Sequence, residues 1–122
     1  MPLESCRELK VRQRGIALVA AVYALCKSFP PQERFGLTSQ LQRAAGSIPA
    51  NIAEGYGRMP RGDYLHHLSV ANGSLAEVEM HLAIALRLGF VQREQLQELW
   101  HLCQEIGKML RALVHTLKET EG

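Results

Sequence analysis

Two short polar insets interrupt otherwise apolar helical patterns, and they hold the residue types that could do chemistry. The first is Asn51 with Glu54, three residues apart on either side of Ile52. The second is Asn72-Gly73-Ser74 followed by Glu77. Two carboxylates, Glu54 and Glu77, could act as general acid and base if the fold brought them together. A site of that kind normally also holds a histidine, a metal ligand or an activated nucleophile, and neither inset supplies one. The other reading is structural. Polar groups near a packed interior need hydrogen-bond partners. Asn51, Glu54, Asn72, Ser74 and Glu77 are therefore expected to form an interhelical network, with Gly73 permitting close approach. Replacing both glutamates by Gln is expected to reduce stability rather than abolish an activity.

The five histidines are His66, His67, His81, His101 and His115. No pair has the His-x-x-x-His spacing that puts two ligands on one helical face. No Glu-x-x-His pair recurs on two helices, so the di-iron bundle pattern is missing. The histidines are read as solvated surface residues. Three cysteines at long spacings, Cys6, Cys26 and Cys103, form no Cys-x-x-Cys. They suit neither a disulfide framework nor a zinc site and are expected as thiols in a reducing cytoplasm. Nucleophile elbow, phosphate-binding loop and dinucleotide fingerprint are all missing. No catalytic residue, metal or cofactor is expected.

Basic residues show order of another kind. Arg7, Lys10 and Arg14 are spaced three and four apart, so they share a helical face. Arg43 lies off the apolar stripe of its own segment, and Arg58 and Arg61 bracket a turn. These six could contact nucleic-acid phosphates. A solvated face with ordinary ion pairs would look similar. The net charge of +2 and pI of about 8.6 fall well short of an obligate polyanion binder. Binding would require the charge to be clustered, and assembly around an axis would multiply each stripe.

The elements that must position these residues are helical. The 122 residues suit one domain, 1–122. The longest apolar run, Ile16 to Cys26, is shorter than the roughly 20 residues a membrane span needs. A cytoplasmic protein with no membrane partner is expected. Helix 1 should run from about Glu4 to Ser28. It has two apolar stripes: Leu9, Ile16, Val19, Tyr23 and Cys26, and Leu18, Val22, Leu25 and Phe29. A helix apolar on all sides is buried on all sides, so helix 1 is expected to contact another subunit, with Leu18, Val22 and Leu25 as its outer face. Helix 2 is expected from about Gln32 to Tyr56, bent at Pro49, with a core stripe of Leu37, Leu41, Ala45, Ile48 and Ile52. A start after Gly36 with a Ser39–Gln42 capping box is the alternative. Helix 3 should start near Pro60 and end near Leu88, where Gly89 and Phe90 suit a Schellman cap. Helix 4, about Arg93 to Lys118, has Leu96, Leu99, Cys103, Ile106, Leu110, Leu113 and Leu117 at alternating steps of three and four, a coiled-coil-like seam. No segment shows strand alternation. Short loops make sequential helices antiparallel neighbours. The fold class is all-α, an antiparallel up-and-down four-helix bundle ~38 Å long.

Several of these runs resemble a known family. Phe35-Gly36-Leu37-Thr38-Ser39-Gln40-Leu41, Arg43-Ala44-Ala45 and Ser47-Ile48-Pro49-Ala50-Asn51-Ile52-Ala53-Glu54-Gly55 resemble the signature of the bacterial four-helix bundle proteins, also called 23S rRNA intervening-sequence proteins. Ala71-Asn72-Gly73-Ser74-Leu75-Ala76-Glu77 is similar to that family's second motif. Arg12 and Gly15 depart from the family's frequent Trp and Ala. The resemblance implies a homopentamer of up-and-down bundles. It extends to the accessory variability determinant of diversity-generating retroelements, which binds nucleic acid and a reverse transcriptase. Expected partners are therefore further copies of the chain, RNA or DNA, and a reverse transcriptase. Two functions follow: a non-enzymatic nucleic-acid-binding accessory protein, or a protein-interaction scaffold.

Overall fold

The computed structural model describes residues 3–57 and 61–121. The described residues form α1 (Leu3–Cys26), a 3-10 turn (Pro31–Glu33), α2 (Leu37–Tyr56), α3 (Arg61–Arg87) and α4 (Arg93–Glu121), with no strand. Each helix packs on its neighbours in the chain, and α4 also packs on α1. The result is a closed four-helix bundle. The closest pair is α2 with α3, and the sparsest is α3 with α4.

The core follows helical periodicity. All seven seam residues of α4 are buried, as are Leu37, Leu41, Ala45, Ile48 and Ile52 of α2. From α3 come Tyr64, Leu68, Ala71, Leu75, Val78, Leu82 and Ala85. On α1 the expected outer face is corrected: the second stripe meets the bundle, while the first divides, with Cys26 buried and Val19 partly so. Leu18 and Val22 are fully buried and Leu25 is nearly so. The exposed stripe is Leu9, Ile16 and Tyr23, at 40%, 56% and 51%. Apolar periodicity alone separates two faces without saying which one meets the bundle.

The start of α2 is also corrected. Helical geometry does not run through from Gln32. The chain makes a separate 3-10 turn at Pro31–Glu33, and Gly36 leaves helical dihedrals at φ −109°, ψ −114°. Ser39 forms no cap. Instead Glu33 Oε1 accepts from Leu37 N–H at 3.2 Å, placing a carboxylate at the positive end of the α2 dipole. Pro49 lies inside α2, and Gly15 of α1 makes room for it. A Cβ on Gly15 would sit 3.3 Å from Pro49 Cβ. At the far end of α3, Gly89 has φ +78°. Phe90 N–H bonds to Ala85 O at 2.9 Å and Gly89 N–H to Leu86 O at 3.1 Å, the Schellman pattern. Phe90 then meets Phe29 with ring centroids 5.8 Å apart, closing that end of the core.

The close approach expected at Gly73 occurs elsewhere. Gly73 is exposed, and a Cβ there would meet nothing within 4 Å. Gly55 is the tight position: its Cβ would fall 2.6 Å from His67 Cβ and 3.1 Å from the Tyr64 ring. Gly55→Ala should therefore lower stability by about 1–3 kcal/mol through forced separation of α2 and α3. Gly73→Ala should raise it by about 0.5–1 kcal/mol through helix propensity. Urea denaturation of the two variants checks this, and the same sign for both would contradict the packing described.

Candidate nucleic-acid interface

The narrow apolar seam of α4 leaves most of that helix facing outward. Its C-terminal half presents Lys108, Arg111, His115 and Lys118, all exposed, at steps of three and four. That spacing aligns them along one side of the helix. Open grooves flank them. Between α3 and α4 a cavity of about 640 Å³ is lined by His66, Ser69, Asn72, Arg111, His115 and Lys118 among others. Between α1 and α4 a smaller one of about 300 Å³ is lined by Arg7, Lys10, Met109 and Ala112. Arg111, Lys118 and the two histidines were not singled out by sequence reading. For the residues of α4 the signal was the outer stripe of that helix, overshadowed by its seam; His66, on α3, had no such signal.

The six sequence-derived basic residues do not form one patch. Arg7 and Lys10 share the α1–α4 groove. Arg14 is tied across it, its Nε donating to Glu105 Oε1 at 3.1 Å, so its charge is offset. Arg43 is exposed on the other side of the bundle, in a cleft between α2 and α3. Arg58 and the side chain of Arg61 lie outside the described residues.

The polar insets are placed unequally. Asn51 Nδ2 donates to Ser47 O at 2.8 Å and to Ser47 Oγ at 2.9 Å. A carbonyl can only accept, which fixes the orientation of the amide. Asn51 Oδ1 therefore accepts, and its partner at 2.9 Å, His67 Nδ1, carries the proton. Ser74 Oγ donates to Ser47 Oγ at 2.8 Å. The chain His67–Asn51–Ser47–Ser74 thus stitches α2 to α3. Ser47 and His67 were not foreseen in it. The expectation that all five inset residues lie near the interior is corrected: Glu54, Asn72 and Glu77 are exposed. Glu77 lines the α2–α3 cleft and Glu54 does not, so that cleft does not unite the two carboxylates.

The histidines and cysteines divide similarly. His81, expected on the surface, is 6% exposed, and its Nδ1 has no hydrogen-bond partner. Cys26 and Cys103 are buried and Cys6 is exposed. Burial, with Glu79 nearby, pushes the Cys103 thiol up to about 12, far from nucleophilic use at neutral pH. No group of three metal-ligating side chains occurs among the described residues. No described helix is long and apolar enough to cross a membrane.

Beside the basic groove of α1, Glu8 is 2% exposed, with Arg12 Nε 3.3 Å from its Oε1 but out of hydrogen-bond geometry. Burial pushes its carboxyl above the usual range, and Arg12 pulls the other way. A raised folded-state value makes its contribution full below the unfolded carboxyl value and lost as pH rises through the folded one. Glu8→Gln should therefore be more stable than the parent at pH 7, with the gain vanishing below about pH 4. Thermal melts at both pH values test this, and a variant weaker at pH 7 would contradict it.

Comparison with known proteins bears on the whole chain. No curated protein matches it. A crystal structure from Bacteroides thetaiotaomicron, described as a protein of unknown function from the S23 ribosomal protein family, superposes with a TM-score of 0.82. The two are 24% identical, over 89% of this chain and 98% of that one, so the likeness is one of fold. The family model of the 23S rRNA-intervening sequence protein matches residues 7–112. With the signature runs of α2 and α3 inside that span, the chain belongs to the 23S rRNA-intervening sequence protein family.

Proposed function

We propose that the chain is a non-enzymatic, self-associating accessory protein of the cytoplasm that binds RNA or DNA along α4. The observation that carries this reading is the exposed stripe Lys108, Arg111 and Lys118, in line with His115, which Glu119 pairs at 3.0 Å, and with Arg7 and Lys10 in one flanking groove and His66 in the other. Phosphate contacts of this kind position a backbone without reading sequence. The family's name points toward ribosomal RNA. The helices are read as an antiparallel up-and-down bundle. Contacts 47 with 74 and 51 with 67 join α2 and α3 in opposite order, and Gly15 with Pro49 and Ser5 with Tyr56 join α1 and α2 likewise.

Self-association rests on α1. Leu9, Ile16 and Tyr23 recur every seven residues on its exposed face, with exposed Ala17, Ala20 and Ala24 between and beside them. From Ile16 to Ala24 the exposed residues of this face are all apolar, a patch of the kind that marks a docking surface, and the homopentamer implied by the family resemblance would cover it. Five copies would repeat the basic flank around an axis and strengthen its field. One observation favours a second reading, a scaffold for a protein partner such as a reverse transcriptase. The upper α3–α4 groove is lined by Ala83, Leu86, Leu96 and half-exposed Trp100, a surface suited to an apolar side chain.

A gel-shift assay with single-stranded RNA and DNA at 50 mM salt tests the first reading. Binding should weaken steeply with salt, by a log–log slope of about −3 for three or four phosphate contacts. Arg111→Glu with Lys118→Glu should weaken it at least about tenfold. Lack of binding at that salt would overturn the reading. Light scattering should give a mass several times 13.6 kDa, reduced by Ile16→Asp. A monomeric parent chain would refute the role given to α1.

A further inference from the structure

The cleft between α2 and α3 lies apart from the basic flank and is built differently. It has a volume of about 340 Å³ and is lined by Gln40, Arg43 and Ser47 from α2 and by Ser74, Glu77 and His81 from α3. Arg43 and Ser47 are one helical turn apart, as are Glu77 and His81, so each pair shares a face. Arg43 and Glu77 carry opposite charges on facing helices. Yet the ion pairs among the described residues are Arg12 with Glu8, Arg14 with Glu105 and His115 with Glu119. Arg43 and Glu77 are not among them, although both line the cleft.

Its floor offers a directed donor. Ser47 Oγ accepts from Asn51 Nδ2 and from Ser74 Oγ. Both of its lone pairs are then used, which leaves its own proton for a ligand in the cleft. Below, Ser74 is 7% exposed and His81 6%, and His81 Nδ1 lacks a partner. A buried polar wall of this kind suits a polar ligand better than an apolar one. A phosphate would be repelled by Glu77, and a metal ion by Arg43. The fitting ligand presents acceptors toward Arg43 and Ser47 and donors toward Glu77.

We propose that this cleft binds a single unpaired guanine base. The proposal deepens the nucleic-acid reading above and rests on it for the source of the base. Guanine has two adjacent acceptors, N7 and O6, the edge that arginine recognises. Directly beyond O6 come two donors, N1–H and the N2 amine, which a carboxylate can accept. Arg43 takes N7, the Ser47 hydroxyl takes O6 and Glu77 takes N1–H with the N2 amine. Adenine places a donor where guanine has O6 and leaves Glu77 facing an acceptor. Splayed-out bases of single strands are the form in which proteins read RNA sequence. The cleft thus adds a base preference to a flank that grips only phosphates.

The test uses the full chain and nonamers of adenosine with one central residue varied, read by fluorescence anisotropy. Central guanosine should bind about tenfold more tightly than central adenosine. Inosine, lacking the N2 amine, and 7-deazaguanosine, lacking N7, should lose most of that gain. Glu77→Gln, a change at an exposed position, should erase the preference. A second arm needs no phosphate: guanosine alone, titrated against labelled protein, should shift the amide signals of Ser47, Ser74 and His81 where adenosine does not. Failure of every nonamer to bind would sink the phosphate-binding flank while the guanosine titration still decides the cleft. Equal affinities for central guanosine and adenosine, or a titration without a guanosine-specific shift, overturns the cleft proposal.

Discussion

At Gly55 the backbone of α2 comes so near α3 that a single methyl group there would sit 2.6 Å from His67 Cβ. The same two helices are linked by the hydrogen-bond chain from His67 through Asn51 and Ser47 to Ser74. The missing side chain sets how closely the helices pack, and the polar chain sets their register. Apolar stripes alone tolerate sliding by a turn, because one leucine serves nearly as well as another. A part-buried polar chain does so less, since a slip would leave its donors and acceptors unmet.

With α2 and α3 held this closely, other sides of the bundle are freer. The α3–α4 side is the loosest, and the larger grooves lie along it. The α4 seam is only as wide as a coiled-coil stripe, so its basic flank is left to solvent. On α1 the surplus of apolar residues goes outward as Leu9, Ile16 and Tyr23. The proposed phosphate grip, self-association and base reading would fall on three different faces of this bundle.

The sequence was most legible where one apolar stripe stood alone. The α4 seam from Leu96 to Leu117 and the α2 stripe from Leu37 to Ile52 are buried throughout. Legibility failed on α1, where two stripes competed and only packing against α2 and α4 could choose between them. It failed at the start of α2, where Glu33 reaches the Leu37 N–H from outside the helix. The polar insets were legible as a kind of feature rather than in detail. Asn51 and Ser74 meet through Ser47, a residue that looks like an ordinary helix serine. His67, read as a solvated residue, is half-buried and bonded to Asn51, and nothing in its spacing distinguishes the two cases. The α2–α3 cleft needed coordinates, since Arg43 and Glu77 are far apart in the chain and each alone reads as surface charge.

The register of α2 against α3 is tested most directly by a double-mutant cycle on Asn51 and His67. Asn51→Ala, His67→Ala and the double variant would be compared with the parent chain by urea denaturation. If the polar chain sets the register, each single change strands its partner and the double change costs less than their sum, with a coupling of about 1 kcal/mol or more. Additive effects, with no coupling beyond error, would mean that the two side chains act independently and that packing alone holds the helices in place.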